Sequence, residues 1–183
     1  MGKKTRSNLS GMTLIELITS VALIGIISAV FIANYRTGIK RTDLVMTIQT
    51  AVADIRLAQA NALGLIKYED EVPAGGWGAY FSAAASSSYV IFADKNNNGR
   101  FDSGENTEAS GGRTVQLPAN IRIDDISLGE QANVVFLPPD PITNISLDGG
   151  ATTTSVMIRM KELNDGTTKT IKVNFLGLAE VID

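Results

Sequence analysis

The twenty residues from Leu14 to Ala33 carry a single charge, Glu16. At 1.5 Å per residue a helix of that length spans about 30 Å, the depth of a bilayer's hydrocarbon. The run therefore predicts a membrane helix. Lys3, Lys4 and Arg6 precede it with no acidic residue among them, so the positive-inside rule leaves the amino terminus in the cytoplasm and sends the remainder outward. A secretory signal shares this basic start, but its apolar region is usually about 7–15 residues and is followed by a small-residue cleavage site. Here the small residue, Gly11, comes before the run. That order points to trimming on the cytoplasmic side, with the apolar segment retained.

The stretch SGMTLIELITSVALIGIISAV resembles the class III signal of type IV pilins and pseudopilins. Gly11, Thr13, Leu14, Ile15, Glu16 and Leu17 match the G-F-T-L-I-E-L core of that signal, with Met12 in the place of the usual Phe. The resemblance implies that a prepilin peptidase cuts after Gly11 and that Met12 becomes an N-methylated first residue. It also implies that Glu16 recruits the subunit into a filament. The expected partners are other pilin or pseudopilin subunits, an inner-membrane assembly platform, and membrane lipid before assembly. Physics is compatible with such a role for Glu16. A carboxylate at the centre of a membrane helix costs about 2.5–3.5 kcal/mol on insertion scales, so it is normally paired or functional. Cleavage would create a partner amine at Met12, one helical turn away. The bland alternative is that Glu16 snorkels to the headgroups.

No proline interrupts the chain between Ala33 and Gly64, so the helix is expected to continue for about 76 Å from Thr13 to Leu63. Gly25 and Gly38 weaken it, each by about 1 kcal/mol relative to Ala. Many pilins carry a proline close to Ala33; none is present here. Val45, Ile48, Val52, Ile55 and Ala62 form one helical stripe, while Thr47, Asp54, Arg56 and Asn61 fall largely off it. The expected organisation is a leader over 1–11, a transmembrane helix segment over 12–34, an extracytoplasmic helix over 35–66 and a β-rich head over 67–183.

Beyond Gly64, short apolar runs bounded by turn formers read as strands. The candidates are Trp77–Phe81, Tyr89–Ala93, Arg113–Leu117, Ile121–Ile126, Asn133–Leu137, Ser155–Lys161, Thr168–Asn174 and Leu178–Ile182. Val156, Ile158 and Met160 alternate, as do Ile171, Val173 and Phe175, which predicts strands with one wet face. Asn164-Asp165-Gly166 signals a tight hairpin. Ser82–Ser88 and Gly149–Ser155 lack bulky side chains and read as loops. The prolines of Leu137–Pro141 bar that segment from a central strand. The expected fold class is α+β, with a long N-terminal transmembrane helix continuing into a stalk packed on an antiparallel meander, a pilin-like layout.

The most chemically specific soluble segment is DKNNNGRFDSGE, Asp94 to Glu105. Asp94, Asn96, Asn98, Asp102 and Glu105 stand at places one, three, five, nine and twelve of an EF-hand loop, Gly99 at the sixth, and Arg100 would offer its carbonyl at the seventh. Such a set approaches the six to eight oxygens that Ca²⁺ takes, and suits the stricter octahedron of Mg²⁺ less well. The flanking helices of an EF-hand are missing. Without metal the same string is a good solvent-exposed turn. Both readings stay open.

This loop also resembles the FxDxNxNGxxDxGE segment of GspH/FimT-type minor pseudopilins, as do RLAQANAL, GGWGAYF and the closing TIKVNFLGLAEVID. The family implies a structural role at or near a filament tip, in a type II secretion pseudopilus or a type IV pilus. It places the chain in the cytoplasmic membrane first and in a filament in the periplasm or at the cell surface afterwards. Some relatives bind DNA during natural transformation, and Arg159, Lys161, Lys169 and Lys172 are the residues here that would form a basic patch. Glu162, Asp165, Glu180 and Asp183 lie among or beside them, so charged residues on a wet sheet face are the plainer reading. The chain holds no Cys and no His, which removes disulfides, thiol nucleophiles and imidazole-dependent sites. No G-x-S-x-G or S-x-x-K nucleophile motif appears either, and an enzyme is not expected.

Overall fold

The computed structural model describes residues 12–84, 87–139 and 142–182, with backbone only for 33–41. The chain is α+β. One helix, α1 (Leu14–Leu63), precedes the strands, and two compact units meet at Ile39 and Lys40.

In the first unit, Thr13 Oγ1 accepts the Glu16 N–H at 3.3 Å, so Thr13 and Glu16 occupy the first and last places of a capping box, T-x-x-E. Leu14–Ile32 is long and apolar enough to cross a membrane, a test that a signal sequence also passes. Its large apolar side chains are exposed: Leu14 is 79% exposed and Phe31 71%. The hydroxyls of Thr19 and Ser20 are satisfied within the helix. Thr19 Oγ1 donates to the Ile15 and Glu16 carbonyls, and Ser20 Oγ donates to the Glu16 carbonyl at 2.7 Å. Internal satisfaction of this kind is what a lipid environment demands of polar groups.

In the second unit, Leu44, Ile48, Ala51, Val52, Ile55, Ala58 and Ala62 are buried along α1. Two expectations need correction here. Val45 lies off the buried stripe, 44% exposed, and Asp54 lies on it. Tyr89 Oη donates to Asp54 Oδ2 at 2.6 Å, and the Arg113 guanidinium donates to Oδ1. Burial and the Asp54 carboxylate together hold the Tyr89 phenol well above its usual pKa, with Arg113 offsetting part of the rise. The helix ends at Leu63, as the sequence leads one to expect. The Leu65 N–H donates to the Ala62 carbonyl and the Ile66 N–H to the Asn61 carbonyl, a Schellman pair. Leu65, at φ 51°, takes the left-handed position beyond Gly64.

The strands form two antiparallel sheets instead of one meander. The first contains β1 (Gly76–Ser82), β2 (Ser88–Asp94), β3 (Arg113–Gln116), β5 (Gln131–Leu137), β6 (Ile142–Leu147) and the two-residue β7 (Thr152–Thr153), in the order β3-β2-β1-β5-β6-β7. The second contains β4 (Ile121–Ile126), β8 (Ser155–Glu162), β9 (Thr168–Asn174) and β10 (Ala179–Ile182), in the order β10-β9-β8-β4. β6 and β7 were not expected, and β7 falls inside the supposed Gly149–Ser155 loop. Edge positions go to β3, β7, β10 and β4, and β4 carries a register shift between Ile123 and Asp125.

Alternation sorts the faces as the pleat requires. Trp77, Ala79 and Phe81 of β1 share one core with Ile91 of β2, Val134 of β5, the buried stripe of α1, and Val156, Ile158, Met160, Ile171 and Val173 of the second sheet. Phe175 does not continue its series: it lies past the end of β9 and is 56% exposed. On the opposite face of the first sheet, Val90, Phe92 and Val135 make a second cluster with Tyr80, Leu137 and Phe101.

The β8–β9 hairpin turns on Gly166 at φ 73°, as the Asp-Gly signal predicts. Glu162 closes it by accepting the Asn164 and Asp165 N–H groups at 2.8 and 2.7 Å, with Asn120 Nδ2 at 3.3 Å. Burial alone would raise the carboxyl pKa, but these hydrogen bonds outweigh it and lower it. A lowered folded-state pKa means stability that is present above the unfolded pKa and lost as pH falls through the folded value. Glu162→Gln is therefore expected to melt earlier than wild type at neutral pH, with the gap closing in acid below the carboxylate range. Equal melting temperatures at neutral pH would refute this.

Candidate functional site

The Asp94–Glu105 loop leaves the end of β2 and lies on the outer face of the first sheet. Phe101 fixes it there, with ring centroids 5.3 Å from Tyr80 and 5.5 Å from Phe92. The Phe101 N–H donates to Asn133 Oδ1 of β5 at 2.9 Å, and Ser146 Oγ of β6 donates to the Gly99 carbonyl at 2.7 Å. Tyr68 Oη holds the far end, donating to the Gly104 carbonyl and accepting the Thr107 N–H, both at 2.8 Å. Sequence reasoning missed all of these anchors. Asn133 and Ser146 become visible only when β5 and β6 are paired beneath the loop.

Both end carboxylates are buried. Asp94 Oδ1 accepts the Asn98 N–H at 3.1 Å and Oδ2 accepts the Gly99 N–H at 2.7 Å. Glu105 Oε1 accepts the Lys95 N–H and Oε2 the Asp102 N–H, both at 2.9 Å. Gly99, at φ 71°, supplies the left-handed turn that the sixth place requires. Burial raises the Glu105 pKa, the Asp102 and Lys95 amides oppose that rise, and the Asp94 and Asp102 charges add to it.

The spacing suits calcium, but the donor directions do not. Asn96 and Asn98 turn their Nδ2 groups, not their oxygens, toward Asp102. Among the described residues, no group of three or more His, Cys, Asp or Glu is placed to hold a metal ion. As they stand, the directions of the Asn96 and Asn98 side chains are those of a plain turn.

Of the assembly residues, Gly11 lies outside the described residues, and so do Lys3, Lys4 and Arg6. Met12 is exposed just ahead of α1, and Glu16 is exposed in its first turn. The basic residues are only partly brought together. Arg159, Lys161 and Lys172 share the outer face of the second sheet by register, but Lys169 pairs with Met160 on the core-facing side. Arg122, opposite Lys161, joins that outer face and was not anticipated. Acidic partners occupy the same surface. Arg159 pairs with Asp124 and Asp125 at 3.3 and 3.0 Å, Lys161 lies 3.9 Å from Asp124, and Glu180 stands opposite Lys172. A polyanion would have to displace these carboxylates, which weighs toward the plainer reading of a mixed, solvated sheet face.

No protein-family model matches the chain, no curated protein matches it, and no solved structure matches its fold.

Proposed function

We propose that this chain is a membrane-anchored structural subunit of the pilin-like class, a minor pseudopilin of a type II secretion pseudopilus or type IV pilus. In this reading prepilin peptidase removes residues 1–11, Met12 becomes the methylated first residue, and the N-terminal helix enters the filament. The reading rests above all on Leu14–Ile32, an apolar helix with no protein cover and one carboxylate in its first turn. A segment so exposed must be buried by lipid or by other chains, and Glu16 must find a cation or water there. The Met12 amine created by cleavage supplies that cation. Lipid would surround the segment before assembly, and sister helices afterwards. The platform proteins and companion subunits would do the mechanical work, and no catalytic group is needed in this chain.

The test is the amino-terminal residue and intact mass of the protein from cells with and without prepilin peptidase. The expected result is a methylated Met12 start only when the peptidase is present. An uncut chain in both would remove the reading. Glu16→Ala is expected to be cut and inserted normally yet to be lost from the sheared filament fraction. Undiminished incorporation of that variant would sink the role assigned to the carboxylate.

A further inference from the structure

A divalent cation is held by oxygens that turn inward together. In the Asp94–Glu105 loop the Asn96 and Asn98 amides instead present nitrogen to the carboxylate opposite. Asn96 Nδ2 and Asn98 Nδ2 donate to the same atom, Asp102 Oδ2, at 2.8 and 2.7 Å. Their oxygens face the backbone: Asn96 Oδ1 accepts the Asn98 N–H at 3.1 Å, and Asn98 Oδ1 accepts the Arg100 N–H at 2.8 Å. These backbone bonds fix which end of each amide is nitrogen, because a flipped amide would set donor against donor.

The other two carboxylates need no cation either. A buried carboxylate is costly unless its oxygens are hydrogen-bonded, and all four oxygens of Asp94 and Glu105 accept main-chain N–H groups. Phe101 adds an apolar anchor that owes nothing to charge.

We propose that Asn96 and Asn98 are a built-in neutral replacement for a divalent cation, satisfying Asp102 with two N–H donors so that the loop keeps its shape at any calcium level. The choice of amide over carboxylate at these two places sets that independence. Aspartates there would remove both donors and set two further negative charges beside Asp102, and the loop would then close only around a cation. This inference does not depend on filament assembly, and a failure of either leaves the other standing.

The test uses the full-length chain in detergent micelles, with amide hydrogen exchange at Gly99 and Asp102 as the readout. Wild type is expected to show the same protection in chelator and in about 10 mM Ca²⁺, well above the weakest extracellular sites. Asn96→Asp/Asn98→Asp is expected to exchange roughly tenfold faster in chelator, the order expected for two lost hydrogen bonds, and to regain protection with Ca²⁺. Asn96→Ala/Asn98→Ala is expected to loosen without any response to Ca²⁺. Wild-type protection that falls in chelator and returns with Ca²⁺ would overturn the proposal, whatever the variants do. So would a double aspartate variant that folds and ignores Ca²⁺, or a double alanine variant that Ca²⁺ tightens.

Discussion

Asp54→Ala is expected to cost the head about 3 kcal/mol of unfolding free energy, because it removes the acceptor from a buried phenol and leaves the Tyr89 hydroxyl dry and unpaired. Asp54 reaches out of α1 to Tyr89 on β2 and Arg113 on β3 at once. The loss should therefore weaken the attachment of helix to sheet more than either element alone. Tyr89→Phe removes both the donor and its need for an acceptor, so it should cost less, about 1 kcal/mol. In the double variant the two losses should fall short of their sum, since they share one bond. Denaturant unfolding of the full chain in micelles can be followed by fluorescence, because Trp77 is the single tryptophan and is buried in the same core. A cost below about 1 kcal/mol for Asp54→Ala would mean that water replaces the lost acceptor.

Gly76→Ala should be at least as damaging. Gly76 opens β1 at φ 87°, a conformation that side chains rarely adopt, and a Cβ there would lie 2.0 Å from the Phe136 carbonyl oxygen of β5. That oxygen is backbone in the strand paired with β1, so it cannot swing away as a flexible side chain would. Left-handed strain of about 1–2 kcal/mol and overpacking of about 1–3 kcal/mol act together. The variant is expected to lose about 3 kcal/mol or more, and to unfold at a clearly lower denaturant midpoint. A midpoint within error of wild type would show that the β1–β5 junction can shift to make room.

The apolar helix and most strands could be read from the chain because each rests on local periodicity. Val156, Ile158 and Met160 alternate along β8, and Asp165-Gly166 marks its turn whatever surrounds them. β6 was hidden for the converse reason. Ile142-Thr143-Asn144-Ile145-Ser146-Leu147 mixes polar residues into both faces, and its inner face is recognised only once β5 lies beside it. Asp54 was misplaced because a carboxylate on a helix normally marks the wet side; its burial depends on Tyr89 and Arg113, which arrive from distant strands. The candidate loop shows the same division. Its spacing is written in twelve consecutive residues, but the direction of each amide is decided by bonds that only the folded turn contains. Phe101 read as a loop residue until the outer cluster of the first sheet gave it somewhere to pack.

The four edges of the two sheets have a consequence for a molecule that would be crowded against its own kind. β7 is two residues long, β3 and β10 are four each, and β4 is broken by its register shift. Runs this short or irregular offer an incoming chain too few consecutive hydrogen bonds to zip onto. If the proposed function holds, heads crowded side by side would thereby be kept from joining through their sheets into amyloid-like stacks. Any order such heads adopted would then be dictated by side-chain surfaces and helices, contacts that can be undone.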